Sequence, residues 1–153
     1  MRLNLLAIIQ RKKKMFEKIK VVIDRSKWRT GGHSTVATGV GATVLLNTEG
    51  FMCCLGFCCK ALGLADKAIF NIAVPQNVIT SDECGKPGFK DLTTCTKGFV
   101  AATSLVGDAI RINDSFELIP EEKEAKLQEL FKDSDLELSF EGNYSFDGPD
   151  VYN

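Results

Sequence analysis

A single α+β domain is expected of this sequence, with a mixed or antiparallel sheet packed on a buried, cysteine-rich helix and two further helices. Three features point to it. Strand-like stretches stand near both ends of the chain, at Lys20–Asp24 and Leu136–Phe140. An almost unbroken apolar run, Phe51–Leu64, lies between them, and a charged segment with helical spacing follows Pro120. Strands and helices mix without a regular alternation, which is the pattern of α+β rather than α/β. With 153 residues, 44% hydrophobic and 25% charged, the chain suits one packed domain and excludes a collagen-like or disordered class.

Each element has its own reason. Lys20-Val-Val-Ile-Asp24 is β-branched and flanked by charge, so it reads as a strand. Ser34–Leu46 is rich in Val, Thr and Gly and fits a strand pair or one strand and a loop, weakened by Gly39 and Gly41. Asn47-Thr-Glu-Gly50 is turn chemistry. Phe51–Leu64 reads as a buried helix stopped by Gly63. Residues 65–98 read as irregular, and Phe99–Ile112 as a second helix, closed by Asn113-Asp114. Pro120 suits a helix start with Glu121 and Glu122 at its positive end, and Leu127, Leu130 and Phe131 follow at helical spacing. Leu136, Leu138 and Phe140 alternate with Glu137 and Ser139, as in a half-buried strand. Residues 1–15 read as an extension, 16–141 as the domain and 142–153 as a frayed acidic tail.

Charge is split along the chain. Residues 1–113 carry 16 Lys/Arg against 8 Asp/Glu, and residues 114–153 carry 3 against 12. The halves can neutralise each other across the surface, or the basic half can meet an anion. Without aromatic interleaving, nucleic acid is a poor fit as a partner. No stretch approaches the ~20 apolar residues of a membrane span. The run Leu3–Ile9 precedes its charges, Arg11–Lys14, the reverse of a secretory signal, so a cytoplasmic setting is expected, with Met1 or Met15 as the start. The cysteines Cys53, Cys54, Cys58, Cys59, Cys84 and Cys95 then stay reduced.

Cys53, Cys54, Cys58 and Cys59 crowd one short helix, which cannot wrap four thiolates around one ion, so no metal site or cofactor is expected. They read as core packing. The alternative is a nucleophile: Cys53 or Cys54 at the helix start, its thiol acidified by the dipole, with His33, the one histidine, as base. No nucleotide-binding glycine motif is present. The loop with Arg25, Lys27, Trp28, Arg29 and His33 nevertheless offers cations for an anion and a ring for stacking. Arg111 can join from the second helix. Against this, Trp28 can be a core anchor and the cations a wet surface. The candidate ligand-binding residues are Arg25, Trp28, Arg29, His33 and Arg111.

Three stretches together resemble a family of small bacteriophage and prophage proteins. They are Asp24-Arg25-Ser26-Lys27-Trp28-Arg29 with Gly31, Leu45-Leu46-Asn47-Thr48-Glu49-Gly50 running into Met52-Cys53-Cys54-Leu55-Gly56-Phe57, and Ile112-Asn113-Asp114 followed by the helix Glu121–Phe131 and its strand to Phe140. The similarity spans residues 18–141. The sequence departs from the family in the 1–14 extension, in a longer stretch between Arg29 and Leu45, and in Cys58-Cys59, where the family has apolar or small residues. The resemblance implies a phage-like origin and the host cytoplasm, and it brings no activity. Small phage accessory proteins act by binding. The expected function is therefore a non-enzymatic, anti-defence binding protein that sequesters a small anionic, nucleotide-like ligand. The alternatives are a cysteine hydrolase or transferase, and an inhibitor that binds a host protein through the acidic tail; an oligomer fits either binding role.

Overall fold

The computed structural model describes residues 17–30 and 43–144. Strand β1 (Ile19–Asp24) is followed by the cysteine helix α1 (Cys54–Ala61), the single turns α2 (Asp66–Ile69) and α3 (Phe89–Leu92), the hairpin β2 (Thr93–Thr96) and β3 (Phe99–Ala102), then α4 (Ser104–Asn113), α5 (Pro120–Phe131) and β4 (Leu136–Glu141). The fold is α+β, with the strands divided between two separate two-stranded sheets. β1 and β4 run parallel, from Ile19 beside Leu136 to Asp24 beside Glu141. Val21 and Ile23 of β1, with Leu136 and Leu138 of β4, point into the core, as a period of two requires. The strand patterns at the two ends of the domain thus form one sheet.

Helix α1 fills the middle. Cys54, Leu55, Gly56, Phe57, Cys58 and Cys59 are all buried. A helix apolar on every side is a core helix, enclosed by its neighbours rather than laid on a surface. It is shorter than the apolar run predicts. Met52 is drawn into extended pairing with the chain at Trp28: its N–H donates to Lys27 O at 2.9 Å, and its carbonyl accepts from Arg29 N at 2.8 Å. Those backbone bonds cannot form inside a helix, so α1 starts only after Cys53. Its end agrees with the glycine signal. Gly63 sits at φ +94°, with its N–H on Lys60 O and the Leu64 N–H on Cys59 O, the paired bonds of a Schellman stop.

The region 93–103 departs from expectation. Phe99–Ala102 is strand, not helix, and it pairs antiparallel with Thr93–Thr96. Lys97 and Gly98 both have positive φ, at 53° and 83°, as a tight two-residue hairpin turn demands. The helix begins afterwards, at Ser104, and ends at Asn113 as expected. The turn at Asn47 also matches its reading: its side-chain oxygen accepts from the N–H groups of Glu49 and Phe51, both at 2.9 Å. Most of the predicted Ser34–Leu46 strand lies outside the described residues, as do residues 1–16 and 145–153. Within the predicted tail, Gly142 and Tyr144 carry β4 onward against Arg25 and Trp28.

The tightest approach in the core is at Gly56, where an added Cβ would lie 1.9 Å from the carbonyl oxygen of Leu45. Gly-to-Ala substitution inside a helix ordinarily stabilises by about 1 kcal/mol. Here Gly56→Ala forces the Leu45 backbone away from α1, and we expect a loss of about 2 kcal/mol or more, read as a lower urea midpoint.

Candidate functional site

Among the described residues, a buried polar knot that ties distant segments together is built on Asn113, the last residue of α4. Its Oδ1 accepts from the Trp28 indole Nε1 at 2.8 Å and from the Cys54 backbone N–H at 3.1 Å. Its Nδ2 donates to Arg29 O and to Asp114 Oδ1, both at 3.0 Å. Cys54 opens α1, and Cys53 supplies no side-chain cap of its own. Asn113 therefore satisfies a helix N-terminus from 59 residues away. The α4 C-terminus is closed in turn by Lys123 of α5, whose Nζ donates to the Asn113 carbonyl at 2.8 Å. A cation is well placed at the negative end of a helix. Lys123 is fully buried, and desolvation pushes its pKa down to about 8, against the opposing pull of Asp114. Asp114 also accepts from Thr43 Oγ1 at 2.8 Å. These are the residue types of an acid–base site, but Asn113 and Lys123 are buried, Asp114 is half-buried, and they spend their hydrogen bonds within the knot.

The cysteines of α1 are enclosed too. Burial pushes the Cys53 thiol up to about 11 and Cys59 up to about 12, and holds Cys54 and Cys58 well above their ordinary range. A helix N-terminus acidifies a nearby thiol, but at Cys53 and Cys54 desolvation outweighs it. A thiol that is protonated and buried is a poor nucleophile, so the geometry favours packing over the hydrolase reading. His33, the base that reading requires, lies outside the described residues. Among the described residues no cluster of three or more His, Cys, Asp or Glu could hold a metal.

The predicted ligand residues are placed for different work. Arg25 forms a two-pronged pair with Glu124 of α5, Nε at 3.1 Å and Nη2 at 2.7 Å from Oε1, and donates Nη1 to Gly142 O at 3.1 Å. Trp28 is a core ring, 7% exposed, packed 5.0 Å from Phe140 and 6.4 Å from Tyr144 between ring centres. The expected stacking platform is therefore an anchor, because its indole is needed to reach Asn113. Arg29 lies 5.9 Å over the Phe51 ring. Arg25, Trp28 and Arg29 are thus gathered at one corner. Arg111 stands elsewhere, on the outer face of α4, ion-paired with Asp108 and 74% exposed.

Arg111 edges a groove of about 500 Å³ between α4 and α5, lined by Asp108, Arg111, Ile112, Ala125, Lys126, Glu129 and Leu130. Its floor is apolar, and charged side chains of both signs rim it. Lys126 and Leu130 are not conspicuous as site residues in the sequence. Their signal is a shared spacing: Asp108, Arg111 and Ile112 fall on one face of α4, as Lys126, Glu129 and Leu130 do on α5. Compared with protein-family models, curated proteins and solved structures, the chain matches none. No helix among the described residues is long and apolar enough to cross a membrane.

Two outcomes are expected. Asn113→Ala strands the Trp28 and Cys54 donors and the Arg29 carbonyl, costing about 3 kcal/mol in denaturant unfolding and shifting the fluorescence of Trp28, the one tryptophan. The pH profile has two limbs. Lys123 has a lowered folded pKa, so the unfolded chain binds the extra proton between about 8 and its ordinary 10.5, and stability rises with pH there. The four helix thiols have raised folded pKa values, so above their ordinary 9 the unfolded chain releases protons the native state keeps, and stability falls. Four thiols outweigh one amine. Urea midpoints should rise slightly past pH 8 and then drop beyond pH 9, and a flat profile to pH 10 would contradict the burial of these groups.

Proposed function

We propose that this chain is a non-enzymatic binding protein whose α4–α5 groove takes a small organic anion with an apolar body, of nucleotide-like size. The observation that carries this reading is the groove itself. Ile112, Ala125 and Leu130 offer an apolar floor, and Arg111 and Lys126 reach over it. Its volume falls within the range of small-molecule sites. Glu129 is neutralised by Lys132 at 2.5 Å and Asp108 by Arg111, while no ion pair engages Lys126 among the described residues. The rim therefore presents a spare cation. A planar base would lie on the floor, and a phosphate would meet Lys126 and Arg111.

The phage resemblance supplies a setting for such an activity: sequestration of a host signal in host–phage conflict. Calorimetry against cyclic and adenosine-type nucleotides tests it. We expect saturable binding, weakened tenfold or more, about 1.4 kcal/mol, by the double substitution Arg111→Ala, Lys126→Ala. Silence across the panel, or binding that survives the double variant, overturns the reading.

A further inference from the structure

We propose that the open edge of β1 is a self-association surface, on which a second copy of this chain adds its own β1 antiparallel across a two-fold axis. The ladder decides which backbone groups face outward. Ile19 N donates to Asp135 O at 2.7 Å and Arg25 N to Glu141 O at 2.8 Å, so the odd positions of β1 spend their N–H and C=O groups on β4. Lys20, Val22 and Asp24 turn theirs the other way. Among the described residues nothing pairs with the Lys20 and Val22 backbone on that side, and both residues are exposed, Val22 by 47%. The outer edge of β4 is occupied instead. Ser134 Oγ donates to Leu136 O at 3.0 Å and accepts from Leu136 N at 3.1 Å, and Gln128 Nε2 donates to Leu138 O at 3.2 Å. The sheet thus has one closed edge and one open edge. An open edge is a template for another strand, and two strands alone make a marginal sheet.

The strand that fits is another β1. The Lys20, Val22 and Asp24 side chains share the face away from the core, opposite the buried Val21 and Ile23. Antiparallel pairing centred on Val22 sets Val22 against the partner's Val22, and Lys20 against the partner's Asp24 twice over. These become hydrogen-bonded pairs, because the even positions carry the outward groups. Asp24 O already accepts from Lys27 N at 3.0 Å, and a carbonyl keeps a second lone pair for the partner's Lys20. The charges are unspent: no ion pair engages Lys20 or Asp24 among the described residues. Asp24 holds Ser26 N at 2.9 Å and Ser26 Oγ at 2.7 Å through Oδ1, which leaves Oδ2 for a cation. A lysine on an edge discourages most strands, but the partner's Asp24 answers it. A shift of two residues either way sets a charge against valine, so the register is selected. The product is a four-stranded sheet, β4–β1 joined to the partner's β1 and β4. The two-fold closes it, so association stops at a dimer.

Sedimentation equilibrium of the full chain tests this. We expect a reversible monomer–dimer equilibrium with a dissociation constant below about 1 mM. Val22→Lys, Lys20→Asp and Asp24→Lys each set like charges opposite one another and should weaken the dimer about tenfold or more. Mixing the Lys20→Asp chain with the Asp24→Lys chain should restore it, because the mixed pair matches both charges. A wild-type chain that stays monomeric to about 1 mM overturns the proposal, as does a dimer that survives Val22→Lys. So does a mixture of the two charge variants, each folded by circular dichroism, that stays monomeric. Val22→Lys changes only an exposed side chain, so the test stands even where Asp24→Lys, which loses its hold on Ser26, fails to fold.

Discussion

Everything near the centre of this molecule hangs on one amide. The Asn113 side chain sits where the Trp28 loop, the start of α1 and the end of α4 converge, and each leaves a backbone or indole group without a local partner. Buried donors and acceptors must be satisfied, and a carboxamide is the one neutral side chain type with two acceptor lone pairs and two donors. Asn113 uses all four. An aspartate would repel the Arg29 carbonyl, and an apolar residue would orphan three groups. The network reaches outward through Lys123 and Asp114, so a single residue sets where three segments lie relative to one another.

Around that knot the packing is steric. α1 is buried on all sides from Cys54 to Cys59, and Gly56 lets the Leu45 backbone come close. Thiols suit such a position because they fill space with little demand for hydrogen bonds. Burial also removes the acidity that would make them reactive. The abundance of sulfur in this helix is therefore a packing solution; of the six cysteines only Cys95, on β2, is exposed.

The cationic residues stand in different surroundings. Arg25 closes β1, α5 and the end of β4 through Glu124 and Gly142, and a half-buried bidentate pair of this kind gives orientation more than net stability. Arg111 and Lys126 edge the apolar floor of the α4–α5 groove, where Arg111 is paired with Asp108 and Lys126 has no ion pair among the described residues. Arg25 and Arg111 each hold a carboxylate, and they differ in burial, the first half-buried and the second exposed.

The class of fold, the outer strands, the α5 start at Pro120 and the Gly63 stop are legible in the chain alone, because each follows from local periodicity or from the backbone preferences of single residues. The burial of α1 is legible too, since every residue from Cys54 to Cys59 is apolar or small. Phe99–Ala102 is not, because four residues carry too little period to separate strand from helix and the decisive turn at Lys97-Gly98 lies outside them. The roles of Arg25 and Trp28 are equally hidden. Their partners, Glu124 and Asn113, stand 99 and 85 residues away along the chain, and folding alone brings that carboxylate and that amide to them. Charge and aromatic character are readable from the chain; whether they face solvent or a partner is decided by long-range packing, which no local pattern encodes.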